Sequence, residues 1–118
     1  MIRFIHCVKA KPELTAAEFR DYFKSKDLAR QIDTLALLTG SSDCKLSLTL
    51  QVEANNSLLQ SRGGAAPFDA LIEVWWENGR ELMQLTQSEE FNELMRQMED
   101  YQRQFVDFSN SSRFFVEE

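Results

Sequence analysis

The stretch from Phe68 to Glu77 constrains this chain more than any other part of it. It is rich in β-formers, and side chains two apart share one face of a strand. Ile72 and Val74 therefore fall on one face, and Leu71 and Trp75 on the other. A strand apolar on both sides belongs to a sheet covered on both sides. The only polar residues before its end are Asp69 and Glu73.

The remaining elements follow from periodicity. Residues Ile2 to Lys9 alternate and read as a first strand, closed by Pro12. Thr15-Ala16-Ala17-Glu18 is a capping box, and Phe19, Tyr22 and Phe23 follow at i, i+3 and i+4 as an inward aromatic stripe. Lys26 falls on that face and ends its buried part. A second helical segment runs from Leu28 to Leu38 through Leu28, Ile32 and Leu35, with Asp27 as its N-cap and Gly40 as its stop. Lys45 to Glu53 alternates cleanly, with Leu46, Leu48, Leu50 and Val52 on one side, and reads as a half-buried second strand. Ala54 to Pro67 is small and polar and reads as a mobile loop hinged at Gly63-Gly64. After the third strand, helix resumes at Arg80. From Ser88 it strengthens into a stripe of Phe91, Leu94, Met95, Met98 and Tyr101. Arg113 to Glu117 is a short last strand, whose Phe114, Phe115 and Val116 are expected to be buried on both faces.

The order is β-α-β-β-α-β, an α+β fold of the ferredoxin-like type: a four-stranded antiparallel sheet with helices on one face, forming one domain over residues 1–118. Two helices can cover only one face of such a sheet. The simplest cover for the other face is a second copy related by a two-fold axis, so a homodimer of the dimeric α+β barrel kind is expected.

Composition excludes several function classes. With 43% hydrophobic and 27% charged residues the chain is globular, and at its size about two-thirds of the unfolded surface is buried on folding. The net charge of −6, with both signs interspersed, argues against nucleic acid or an anionic membrane as partner. No apolar run approaches the roughly 20 residues that span a bilayer. The first residues lack a signal-peptide pattern, and Cys7 and Cys44 fit a reducing compartment, so a cytoplasmic location is expected. One histidine and no Cys/His spacing leave no metal site to expect. Phosphate-cradling glycine loops and nucleophile elbows are missing too, and no cofactor is expected.

Three groups of residues make the chain resemble the EthD family, small proteins named for ethyl tert-butyl ether degradation. The first is Met1 to Ile5 followed by Lys11 to Thr15 and Glu18 to Phe23. The second is Phe68-Asp69-Ala70-Leu71-Ile72-Glu73-Val74-Trp75. The third comprises Glu99-Asp100, Phe105-Val106-Asp107 and Phe115 to Glu118. The resemblance implies a dimeric α+β barrel with an apolar cleft between sheet and helices. It also implies activities of the kind found in that superfamily: cofactor-free monooxygenases, cyclases, isomerases or decarboxylases acting on small aromatic or cyclic carbonyl compounds. One position departs. Family members often carry a histidine four residues after the aromatic position that Phe23 holds here, and this chain has Asp27 there. An acid–base role for that position is not carried over.

The residues nominate their own candidates. His6, on the strand face of Phe4 and Val8, is the only imidazole and the best candidate general base; its plainer role is a histidine packed under a helix. Tyr22 is a candidate to orient a carbonyl, or else simply reaches solvent. Asp69 and Glu73 share a strand face but stand roughly 13 Å apart, too far for a shared proton. Glu73 is the candidate to act with His6, and each acid has ion pairing as its plainer role. Phe4, Phe19, Phe23 and Trp75 are candidate walls of the cleft, with Asp27 and Asp69 at its edge. The expected ligand is a small apolar or aromatic carbonyl compound. The rival reading is a non-catalytic binding or accessory module that supports a catabolic oxidase, since this fold hosts both.

Overall fold

The computed structural model describes residues 1–64 and 66–118. Four strands, β1 (Ile2–Val8), β2 (Asp43–Leu48), β3 (Ala70–Trp76) and β4 (Ser112–Glu117), form one antiparallel sheet in the order β2-β3-β1-β4. The register sets His6 opposite Ile72 on one side and opposite Arg113 on the other. The fold is α+β and ferredoxin-like.

Helices α1 (Ala16–Phe23), α2 (Lys26–Thr39), α4 (Arg80–Leu85) and α5 (Glu89–Gln102) accompany the sheet, with α3 (Glu53–Arg62) between β2 and β3. One sheet face packs under the helices: Val8, Ala70, Ile72, Val74 and Trp76 are all buried there. Each such aliphatic side chain contributes about 1.5–3 kcal/mol of transfer free energy. α2 is fixed by a buried polar link as well. Trp76 donates from Nε1 to Thr39 Oγ1 at 3.0 Å, and Thr39 donates to the Leu35 carbonyl at 2.7 Å.

Local signals act as the sequence suggests at several ends. Thr15 and Glu18 complete the capping box of α1. Gly40 closes α2 with φ of 66°, a left-handed turn that glycine adopts without steric cost. Ser88 caps α5 through the Phe91 amide.

Four expectations need correction. The second helical segment begins at Lys26, not Leu28, and Ser25 is its N-cap, accepting from the Leu28 amide at 3.2 Å. Lys26 opens this second helix and is exposed, so the buried aromatic face of α1 does end before it, at Phe23. The second strand ends at Leu48, paired with Ala70 at the start of β3, and one further bond, from the Thr49 amide to the Asp69 carbonyl at 3.0 Å, closes the pairing. Without a neighbour, Leu50 stays 70% exposed and Val52 is exposed too. The expected loop after it contains α3, which carries Glu53 in its first turn and Arg62 in its last and ends at left-handed Gly63. These end charges suit the helix dipole. No residue of α3 is buried, so it has no apolar stripe for periodicity to find. Ala65, part of the same expectation, lies outside the described residues. Finally, Phe114 and Phe115 of β4 are exposed in the single chain, Phe115 at 57%. β4 is an edge strand, with Phe114 on the sheet face that no helix covers and Phe115 on the helix side against Phe4.

Candidate functional site

A cavity of about 150 Å³ lies between the helix layer and the β1–β4 side of the sheet. Its floor is Phe4 and His6 of β1 with Ile72 and Val74 of β3. Its roof is Ile32 and Leu35 of α2 with Met95 and Met98 of α5. Phe108, Ser111, Ser112 and Arg113 border it from the turn into β4, and Glu99 and Gln102 from the end of α5.

Two polar side chains in this wall are buried: His6 is 5% exposed and Gln102 is 6% exposed. Neither side chain makes a hydrogen bond to the described residues, and neither is among the sealed polar atoms that lack a partner, which are Arg3 Nε and Gln31 Oε1. Ser111, by contrast, is fully engaged. Its hydroxyl accepts from the Lys9 amide and donates to the Asp107 carbonyl. His6 and Gln102 are left to face the cavity.

Burial pushes the His6 imidazole down to about 4, with the Arg113 cation across the register adding to the effect. The ring is therefore neutral at pH 7 and can accept a hydrogen bond or a proton. Gln102 offers both a donor and an acceptor. Arg113 makes no ion pair among the described residues. Together these groups can bind a carbonyl or hydroxyl compound whose ring lies against Phe4, Met95 and Met98.

Of the sequence candidates, Phe4 and His6 meet at this cavity. The others do not. Phe19 and Phe23 are core, stacked on one another with ring centres 5.9 Å apart. Tyr22 stacks on buried Phe105 at 5.3 Å. The inward stripe of α1 is expected in the cleft because the connection packs that helix against its own sheet, but its Phe19 and Tyr22 meet Phe105 instead. The chain after α5 returns across the end of β1, bridging Val106 to Ala10, and brings Phe105 in over the α1 aromatics. α2 and α5 cover the sheet centre instead.

Glu73 and Trp75 point to the opposite sheet face from His6, as their register requires. There Glu73 lies 3.4 Å from Arg3, and the Arg3 and Lys45 cations sit over the Trp75 ring. Glu73 cannot act with His6 on one ligand within this chain. Asp69 accepts from the Ala10 amide at 2.7 Å and holds the end of β1. Asp27 is exposed in the first turn of α2, 3.7 Å from Arg30, and neither caps the helix nor borders the cavity.

Gln102 and Arg113 escaped sequence reasoning. The signal for Gln102 was a polar residue where the stripe Phe91, Met95, Met98 continues by one more turn. For Arg113 it was the two-residue alternation with Phe115.

A larger groove of about 560 Å³ opens between the α1–α2 junction and β2, lined by Arg20, Phe23, Lys24 and Leu50 among others. It has no buried polar side chain and is a weaker candidate despite its size. The thiols of Cys7 and Cys44 are both pushed up, chiefly by burial, which disfavours a thiolate nucleophile. No cluster of three or more potential metal-ligating side chains occurs among the described residues. No helix among them is long and apolar enough to cross a membrane.

An α+β ferredoxin-like sheet with helices on one face defines the class, and several solved structures are similar to this chain in fold. One is an ethyl tert-butyl ether degradation (EthD) family protein from Bacillus halodurans, with 17% identity, 100% of this chain and 98% of that one covered, and a TM-score of 0.61. Another is a dimeric protein of unknown function and ferredoxin-like fold from Bacteroides fragilis, with 8% identity, 99% and 95% covered, and a TM-score of 0.60. A third is SnoaB, a cofactor-independent oxygenase from Streptomyces nogalater, with 12% identity, 99% and 91% covered, and a TM-score of 0.58. No protein-family model matches the chain, and no curated protein matches it in sequence.

Proposed function

We propose that this chain is an EthD-like cytoplasmic protein that binds a small apolar or aromatic carbonyl compound in the cavity over His6. The observation that carries the reading is a cavity in which the largely buried polar side chains His6 and Gln102 stand beside the apolar Phe4, Ile72, Met95 and Met98. A ligand carbonyl or hydroxyl can hydrogen-bond to both polar groups. The size also fits, because an apolar cavity of about 150 Å³ holds one benzene ring.

Acetophenone is a suitable probe. Because the chain has one histidine, its imidazole signal in a carbon–proton NMR spectrum needs no assignment. Acetophenone at millimolar concentration should shift that signal saturably. An unmoved signal would overturn the cavity reading.

The same geometry supports catalysis without a cofactor, and SnoaB, similar in fold, is a cofactor-independent oxygenase by name. In that reading neutral His6 removes a proton next to the carbonyl, and Gln102 with Arg113 stabilises the resulting enolate. The low pKa of His6 weakens it as a base and favours the alternative, a non-catalytic binding or accessory module. Exchange of acetophenone methyl protons in heavy water separates the two. Faster exchange with the protein than with its His6→Ala variant supports catalysis, and equal rates support the binding module.

We also infer a homodimer. Ile5, Leu71, Trp75, Phe114 and Val116 share the sheet face that the helices leave open. A second copy of that face is its simplest cover. The dimeric state given for the Bacteroides fragilis protein supports this.

A further inference from the structure

The cavity that binds the carbonyl compound in the reading above is asymmetric in charge at its mouth. We propose that its ligand is a single-ring aromatic acid, held with its carboxylate on Arg113 and its ring among the apolar side chains beneath α2 and α5. The proposal rests on the cavity reading and narrows it to an anion.

Three observations lead there. First, the volume of about 150 Å³ admits one ring and little more. Second, Arg113 borders the cavity and makes no ion pair among the described residues, in a chain whose net charge is −6. The other arginine near this site, Arg103, lies 3.9 Å from Glu99 and 3.8 Å from Asp100. A guanidinium matches a carboxylate by two parallel hydrogen bonds. Third, the buried neutral groups His6 and Gln102 are positioned for the polar end of the same ligand. Gln102 can donate to one carboxylate oxygen. His6 accepts from a ring hydroxyl where the ligand has one.

Glu99 also borders the cavity and opposes an anion there. Its proximity to Arg103 offsets part of that charge, leaving Arg113 as the unmatched cation.

Benzoate and acetophenone have nearly the same shape and differ in charge, so they separate the two claims. Each is titrated into the intact chain at low ionic strength, with the His6 imidazole signal as readout. Benzoate should bind about tenfold more tightly, the scale of one charge-assisted hydrogen bond. In Arg113→Gln that preference should vanish, with acetophenone still shifting the His6 signal saturably, which shows that the cavity still forms. Equal affinities in the wild type overturn the anion proposal and leave the cavity reading standing. A preference that survives Arg113→Gln also overturns it, because another cation would then be responsible. If neither compound moves the signal, both the cavity reading and the proposal fall.

Discussion

His6 is held neutral in the folded chain by burial, with Arg113 of β4 reinforcing the effect, and Glu99 of α5 is the carboxylate that borders the same cavity. Its folded pKa of about 4 lies below the ordinary histidine value of 6.5. Between those values the unfolded chain binds more protons than the folded one, so stability rises with pH across that window and falls as pH drops from 6.5 towards 4. The loss from this group is roughly 3 kcal/mol at most. On acidification through that range the urea midpoint of the wild type should fall relative to that of His6→Ala, and parallel curves would contradict a depressed pKa. At neutral pH His6→Ala should keep fold and dimer, because the ring borders a cavity. Phe23→Ala should cost about 3–5 kcal/mol, since Phe23 is 2% exposed and packed on Phe19. If the two variants lose comparable stability at pH 7, His6 is structural. That His6 lies on the Phe4 face could be read from alternation alone, whereas Gln102 and Arg113 became site residues only when α5 and β4 were brought to its sides.

At the scale of elements, helices with an apolar stripe were legible and the one without a stripe was not. α2 and α5 carry Leu28, Ile32 and Leu35, and Leu94 and Met98, into the core, and their spacing announces it. α3 buries nothing. A helix of its ten residues is below the length at which isolated helices hold in water, about 12–15 residues. Its amides from Ala54 to Arg62 should therefore exchange with deuterium orders of magnitude faster than those of Ala70 to Trp76. Comparable protection in the two segments would mean that something covers α3, a partner subunit being the first candidate. The overlong second strand has a related cause. Alternation continued past Leu48 in the sequence, but a strand ends where its neighbour does.

For the whole molecule, the open sheet face predicts association. Sedimentation at micromolar concentration should give twice the 13.7 kDa of the chain. Leu71→Glu or Trp75→Glu, placed on that face and away from the cavity, should return it to a monomer without loss of the helix-side core. A wild-type monomer under these conditions would remove the barrel arrangement. The sequence by itself determined the βαββαβ order, the antiparallel sheet and the two-sided third strand, because side-chain periods of two and 3.6 are local properties of the backbone. Only the tertiary structure decided which aromatic residues line the cleft. The path of Phe105 over α1, and the register that sets Arg113 beside His6 and sends Glu73 to the other face, depend on contacts between residues far apart in the chain.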